Sequence, residues 1–232
     1  MIFSVITLFP EMFSGVFEHS IISRAIKENK IKVNLVNLRD FGEGGHKIVD
    51  DKPYGGGVGM VLKVDVLHKA IVSTKLNIGN EKIVIMDARG DKYDQEKAEK
   101  FSKIDHLIII CGRYEGFDER IKKYIDYSIS IGDFILTGGE IPAMSIVDSI
   151  TRLIPEVLSK SDATNFESFS ESKNGRILEH PQYTRPEIYD GVRVPEALLS
   201  GHAAKIKEFR DNESFDLTKE KRRDLIRPKI SK

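Results

Sequence analysis

The sequence predicts an α/β fold built on a mainly parallel sheet. Three observations carry this. Short β-branched segments alternate with amphipathic helical ones from Ile2 to Leu153. The stretch His106–Cys111 (HLIIIC) is continuously apolar, as in a strand covered on both faces. Glycine-containing turns follow three predicted strands: MDARG, CGRYEG and SIGDFILTGGEIP.

Each element has its own signal. Ile2–Leu8 is β-branched and reads as a strand. Pro10 opens a helix in which Phe13, Phe17, Ile21 and Ala25 recur at helical spacing and point inward. Ile31–Leu38 is a second strand. Arg39 to Met60 is a glycine-rich connection, of a length that is usually functional or disordered. Val64–Lys75 reads as a helix with Leu67 and Ile71 inward, Lys82–Met86 as a buried strand, and Gln95–Ser102 as a helix. After HLIIIC come a short helix at Asp118–Tyr124 and a strand at Tyr127–Ile131. Extended structure resumes at Ile135–Leu136, and Pro142–Leu153 forms a helix that stops before Pro155. Residues 1–158 form this domain. Residues 159–175 are polar, poor in β-branched apolar residues, and read as a flexible linker. Residues 176–232 read as a small, mostly helical domain.

Composition narrows the class. The chain has 232 residues, 31% charged and 40% hydrophobic, ordinary for a soluble globular protein. Lys+Arg and Asp+Glu are both 36, so nucleic-acid binding needs a local basic patch. From Lys205 to Lys232 there are ten Lys/Arg and six Asp/Glu, which makes such a patch. Cys111 is the sole cysteine, which excludes a disulfide framework and fits a reducing compartment. The apolar N-terminus lacks the basic region and cleavage site of a signal peptide, and no apolar run spans a bilayer. The expected location is the cytoplasm, with no membrane partner.

The glycine turns pose the functional question. Ligands of α/β sheets bind outside the carboxyl ends of strands. Three turns side by side offer peptide N–H and C=O groups to a planar, polar ligand such as adenine. Gly112, Gly132, Gly138 and Gly139 let the backbone come close. The bland alternative is that these are simply turns. Neither GxGxxG nor GxxxxGK[ST] is present, and no Lys-Ser/Thr follows PYGGGVGM. His46, His180 and His202 are dispersed, with no zinc-ligand spacing, and Cys111 reads as a core residue.

The motifs PYGGGVGM, CGRYEGFDERI, SIGDFILTGGEIPAM and HPQYTRPEIYDGVRVPEALLSGHAAKI occur in this order. Together they resemble the bacterial tRNA (guanine-N1)-methyltransferases of the SPOUT class, over nearly the whole chain. The resemblance implies a deep C-terminal trefoil knot that holds S-adenosylmethionine in a bent shape. By position it implies cofactor contacts from Met86, Asp87 and Ala88 in the first turn, and from Gly112, Tyr114 and Glu115 in the second. In the third they come from Ser130, Ile131, Gly132, Asp133, Phe134, Ile135, Leu136, Gly138, Gly139 and Pro142, with the backbone of residues 131–136 recognising adenine. Glu115 is alternatively a metal contact or only a turn residue. Magnesium is a further implied requirement, although the sequence holds no clear metal-ligand cluster.

The implied reaction methylates N1 of guanine at tRNA position 37, just 3′ of the anticodon. Neutral N1 carries a proton, so the site needs a base there and a cation or donor at O6. By resemblance the O6 partner is Arg152 and the base is Glu167. Here the sequence departs from the family, whose base is usually an Asp before Ser-Phe. Glu places the carboxylate about 1.5 Å further from the backbone. MDARG replaces the family's Ser-Pro-Gln-Gly, Glu156 stands where the family has Gly, and SESKNGRIL is longer than usual. Read without the family, Arg152 is a cation near a helix C-terminus and Glu167 a solvated linker carboxylate.

RNA contacts are expected from Arg185, Arg193, Ser200, His202, and Lys221, Arg222 and Arg223 within Lys219–Lys229 (KEKRRDLIRPK). The bland reading of that basic run is a solvated helix face. The resemblance implies a homodimer with the active site at the subunit interface. Two other functions remain open: a SPOUT methyltransferase with another RNA target, and an RNA-binding protein that has lost activity.

Overall fold

The computed structural model describes residues 1–159, 164–173 and 175–227. The chain forms two compact units, Met1–Ser159 and Lys160–Lys232. The first is built on five strands: β1 (Ile2–Thr7), β2 (Lys32–Asn37), β3 (Glu81–Lys92), β4 (His106–Ile110) and β5 (Tyr127–Ser130). All pair in parallel, in the order β2-β1-β4-β3-β5.

The alternation of side chains along the strands divides the core into two layers. Leu107 and Ile109 of β4 face one side, with Phe3, Val5 and Val84. Helices α1 (Ser20–Lys27), α3 (Gln95–Phe101) and α4 (Glu140–Thr151) cover that side through Ile22, Ala25, Phe101, Ile146, Val147 and Ile150. Ile108 and Ile110 face the other side, with Ile6, Ile83 and Ile85. Helix α2 (Val64–Thr74) closes it with Val66, Leu67, Ala70 and Ile71. Every residue of β4 is buried, which explains the apolar run Leu107–Ile110, while buried His106 before it is satisfied by Glu81 and Ser4.

The N-terminal helix differs from its expected form. Pro10–Phe13 is a 3-10 turn, Ser14–Phe17 is one α turn, and α1 starts afresh at Ser20, whose φ is 57°. The break shifts the helical phase. Ile22 is 4% exposed and Ile21 is 37% exposed, so Ile22 takes the inward place expected of Ile21.

Strand β3 runs well past Met86. Met86 and Asp91 both align with Ile129, so residues 87–90 are looped out as a bulge. Gly90 closes it, because a Cβ there would stand 2.5 Å from the Ile129 nitrogen. Asp87 braces it from inside. Its carboxylate accepts from the Arg89 N–H at 3.0 Å and from the Ser128 hydroxyl at 3.1 Å. Burial alone would raise its pKa, but these bonds and the Arg89 guanidinium hold it below the ordinary value.

One further expectation is corrected. Residues 135 and 136 do not resume a strand, because the chain turns to bridge Gly138 to Arg113 instead. The glycine-rich connection is tied down at its base, where Asp50–Asp51 pairs antiparallel with Val61–Leu62 and Val49 is buried.

The second unit carries two short hairpins and a long helix. Ser170–Ser172 pairs with Gly175–Ile177, a hairpin that runs from the segment read as linker into the domain that follows it. Ile188–Tyr189 pairs with Val192–Arg193 around Asp190 and Gly191, both at positive φ as a tight hairpin turn requires. Helix α5 (Ala203–Lys221) is anchored by buried Thr218, which accepts from the Leu178 N–H at 2.8 Å. The N-terminal part of the expected linker, residues 160–163, lies outside the described residues.

Ile22→Ala should cost about 2–4 kcal/mol in denaturant unfolding, and Ile21→Ala no more than about 0.5 kcal/mol. Equal costs would contradict the phase shift. The depressed Asp87 pKa makes its contribution full above about pH 3.9, and lost as pH falls through the lower folded-state value. The stability gap between wild type and Asp87→Asn should therefore shrink on acidification, as measured by unfolding between about pH 6 and pH 3.

Candidate active site

The bulge of β3 and the turns that follow β4 and β5 enclose a cleft of about 340 Å³. Met86, Asp87 and Ala88 line it from the bulge. Gly112, Tyr114 and Glu115 line it from the second turn. Ser130, Ile131, Gly132, Phe134, Ile135, Leu136, Gly138, Gly139 and Pro142 line it from the third and from the start of α4. Asp133 does not line it. The Phe134 N–H donates to the Gly132 carbonyl at 3.0 Å, which leaves Asp133 exposed at the apex of a three-residue turn.

The third turn is held in two places. Ser130 Oγ donates to the Gly132 carbonyl at 3.0 Å and accepts its N–H at 3.3 Å. Further on, the Gly139 N–H donates to the Gly112 carbonyl at 2.8 Å, and Gly138 bridges Arg113. A Cβ on Gly139 would stand 2.7 Å from the Cys111 Cα, so only glycine permits this crossing of backbones. Between the two anchors, the N–H groups of Ile135 and Leu136 donate to no backbone acceptor among the described residues. Phe134 and Ile135 are 54% and 83% exposed. Peptide donors and apolar surface thus stand open together.

Under the crossing lies Glu140, 1% exposed at the first turn of α4. It accepts from the Thr7 hydroxyl at 2.9 Å and faces Arg113 Nη1 at 3.5 Å. The Arg113 guanidinium also lies 4.7 Å from the centre of the Phe9 ring. Burial, with the Glu140 carboxylate nearby, pushes the Cys111 thiol well up, so it is no nucleophile at neutral pH. Burial and the neighbouring Asp50 carboxylate push the Tyr114 phenol up.

Arg89 and Arg113 also line the cleft and were not singled out from the sequence. Both stand inside the quoted turn motifs, but a turn has no periodicity to say which side chains face in. Arg89 is paired with Asp87 at 3.4 Å and Glu119 at 3.2 Å. No cluster of three or more His, Cys, Asp or Glu side chains forms among the described residues, so the implied magnesium finds no acidic cage there. No helix among them is long and apolar enough to cross a membrane.

The cleft does not include the two residues expected to do chemistry. Arg152 is the C-cap of α4, half-buried, outside the cleft lining. Glu167 belongs to the second unit. Its segment carries several hydrogen bonds. The Ser170 N–H donates to the Glu167 carbonyl at 3.1 Å, the Glu179 N–H to Ser168 Oγ at 3.0 Å, and the Phe169 N–H to the Ile177 carbonyl at 2.7 Å. Of the departures from the family pattern, Glu156 has φ 65°, a conformation glycine takes freely, and is ion-paired with Lys30.

The expected RNA contacts are spread over the second unit. Arg185 lines a separate cavity. Ser200 and His202 are exposed just before α5, and Lys221 ends it. Arg223 opens the following 3-10 turn. Arg222 is engaged by Asp224 at 2.9 and 2.8 Å and stacks over Phe169, and Arg193 is paired with Glu187 at 2.6 Å. Lys229 lies outside the described residues.

Comparison with known proteins matches these features to one group. The family model described as tRNA (Guanine-1)-methyltransferase TrmD matches residues 1–228. A relative from Caldanaerobacter subterraneus subsp. tengcongensis, named tRNA (guanine-N(1)-)-methyltransferase, is 50% identical over 227 residues, covering 98% of this chain and 92% of its own. One of the same name from Clostridium kluyveri is 52% identical over 223 residues, covering 96% and 88%. The parallel five-stranded sheet, with a cleft at its carboxyl ends, agrees with that membership. The chain belongs to the tRNA (guanine-1)-methyltransferase family and is an enzyme of that class.

Proposed function

We propose that this enzyme moves a methyl group from S-adenosylmethionine to N1 of the guanosine at position 37 of tRNA. The observation that carries the reading is the third turn, with its open peptide donors at Ile135 and Leu136 beside exposed Phe134 and Ile135. An adenine offers acceptors to such N–H groups and a flat apolar face to such side chains. Met86, Gly112, Ser130, Ile131, Gly132, Leu136 and Pro142 would complete the cofactor site. When bound, the cofactor supplies an electrophilic methyl on a sulfonium, which is a good leaving group. The contact of Gly139 with Gly112 supports a knotted path of the chain through this site.

The rest falls to the protein. Glu167 takes the proton from N1, which frees the lone pair for attack. Arg152 donates to O6, where the negative charge collects. The Glu167 carbonyl and the three residues after it are hydrogen-bonded, which favours a base of defined position despite the extra methylene. Residues 1–158 hold the cofactor, the segment 159–175 brings the base, and residues 176–232 hold the RNA. Two copies of the chain complete the site between them. The working compartment is the cytoplasm.

Labelled methyl should enter an unmodified tRNA transcript with guanosine at position 37 and not one with adenosine. Incorporation into neither, from folded protein, would overturn the reading. Glu167→Gln should lower kcat roughly 100-fold or more with cofactor affinity unchanged, and Glu167→Asp should keep most activity. Arg152→Ala should lower kcat by roughly 100-fold. Gly139→Ala should weaken cofactor binding by roughly tenfold or more in calorimetry, since the turn must move.

A further inference from the structure

Arg152 stands where helix α4 gives way to a run of tight turns, residues 152–157. The Leu153 N–H donates to the Ile150 carbonyl at 2.9 Å, the Ile154 N–H to Thr151 at 3.1 Å, and the Val157 N–H to Ile154 at 3.2 Å. Bonds from residue i to i−3 are strained and hold short pieces only. Glu156, with φ 65°, leaves the right-handed region altogether. The turns therefore do not fix their own far end. A restraint from elsewhere has to decide how the chain runs on from Arg152.

Two contacts from the α1 region act there. The first is made to Val157, which is 2% exposed and enters the core layer of Ile22 and Ala25 of α1 and Ile146, Val147 and Ile150 of α4. Val157 lies outside every helix and strand of the described residues, so its carbonyl has no ladder to join. A carbonyl on so buried a residue needs a donor. Arg24, in the last turn of α1, provides it, with Nη2 donating at 2.8 Å. The second contact is the ion pair of Lys30 with Glu156, whose side chain is 76% exposed. An ion pair so open to water holds little. The Arg24 bond is half-buried and directed at the main chain itself, so it is the stronger restraint.

We propose that Arg24 is a positioning residue for methyl transfer: by holding the Val157 carbonyl it fixes the turn from which Arg152 reaches the guanine O6. This rests on the reading of Arg152 as the O6 donor. It gives a part in the chemistry to a side chain that precedes the carbonyl it holds by 133 residues. Arg24 does not line the cleft, so its loss falls on the transition state and spares the cofactor.

The test is a double-mutant cycle in the full-length protein, with labelled methyl transfer to an unmodified tRNA transcript as the assay. Arg24→Met keeps an unbranched apolar stem and removes the donor. It should lower kcat roughly tenfold or more, because a small misplacement of a group that meets the substrate is expensive. KM for the transcript and cofactor affinity by calorimetry should be unchanged. In the Arg152→Ala background the same substitution should cost almost nothing, since the group it positions is gone. Arg24→Lys should recover most of kcat, because one bond to a carbonyl needs one N–H and no planar fork. Lys30→Gln should leave kcat as it is. Wild-type kcat in Arg24→Met would overturn the proposal, as would an equal loss in both backgrounds. A fall in cofactor affinity would overturn it too, because that marks general damage to the first unit. If wild type transfers no methyl, the activity reading falls, and if Arg152→Ala keeps full kcat, the reading of Arg152 falls. Active wild type and an impaired Arg152→Ala, with additive losses from Arg24→Met, would remove only the role of Arg24.

Discussion

The buried carboxylate of Glu140 is the constraint on which the cleft depends. A carboxylate 1% exposed is costly unless hydrogen-bonded and paired. Here Thr7 donates to one oxygen and Arg113 faces the other at 3.5 Å. The three residues come from the end of β1, the second turn and the start of α4. Seating one charge therefore brings three distant parts of the chain to one point, with Glu140 Oε2 and Arg113 Nη1 facing each other as an ion pair without a hydrogen bond. The Gly139–Gly112 backbone contact sits beside that point and draws the third turn across the second. Neither feature works without the other. A side chain at Gly139 would push the crossing open, and an open crossing would leave Glu140 without its cation.

The rest of the cleft is arranged around this point. The bulge of β3 reaches it from one side, braced by Asp87. The third turn spans the other side between two anchors, and its middle offers peptide groups instead of side chains. This division of labour suits a ligand with a planar polar ring. Backbone groups supply the hydrogen bonds, and apolar side chains supply the face. The second unit follows a different plan, with a long helix pinned by Thr218 and short hairpins that present arginines and aromatic rings.

Much of this was legible in the sequence. The central strands show because a parallel sheet covered on both faces needs apolar runs there, and β4 is the plainest case. The cleft residues were legible by family position, apart from Asp133. The misses have physical reasons. Ile21 and Ile22 are adjacent and both apolar, so only the break at Ser20 decides which one is buried. Arg89 and Arg113 sit in turns, where no period marks the inward face. The hairpins of the second unit have strands of two or three residues, too short for alternation to register. One of them did leave a signal, the Asp190-Gly191 pair between apolar residues. Glu167 reads as a linker residue because the bonds of the residues after it, Ser168 to Glu179 and Phe169 to Ile177, join positions that no local pattern links.

The pairing of Thr7 with Glu140 spans 133 residues, and so does the bond from Arg24 to the Val157 carbonyl. Contacts of such range form late, because a long stretch of chain must be ordered before they close. During synthesis on the ribosome the N-terminal strands emerge early, yet they hold unmatched partners until the α4 region has left the exit tunnel. A nascent chain that stalls before Glu140 has most of its strands and no cleft. The cleft thus closes in one step near the end of the first unit's translation, and a product truncated before Glu140 lacks the contact that closes it.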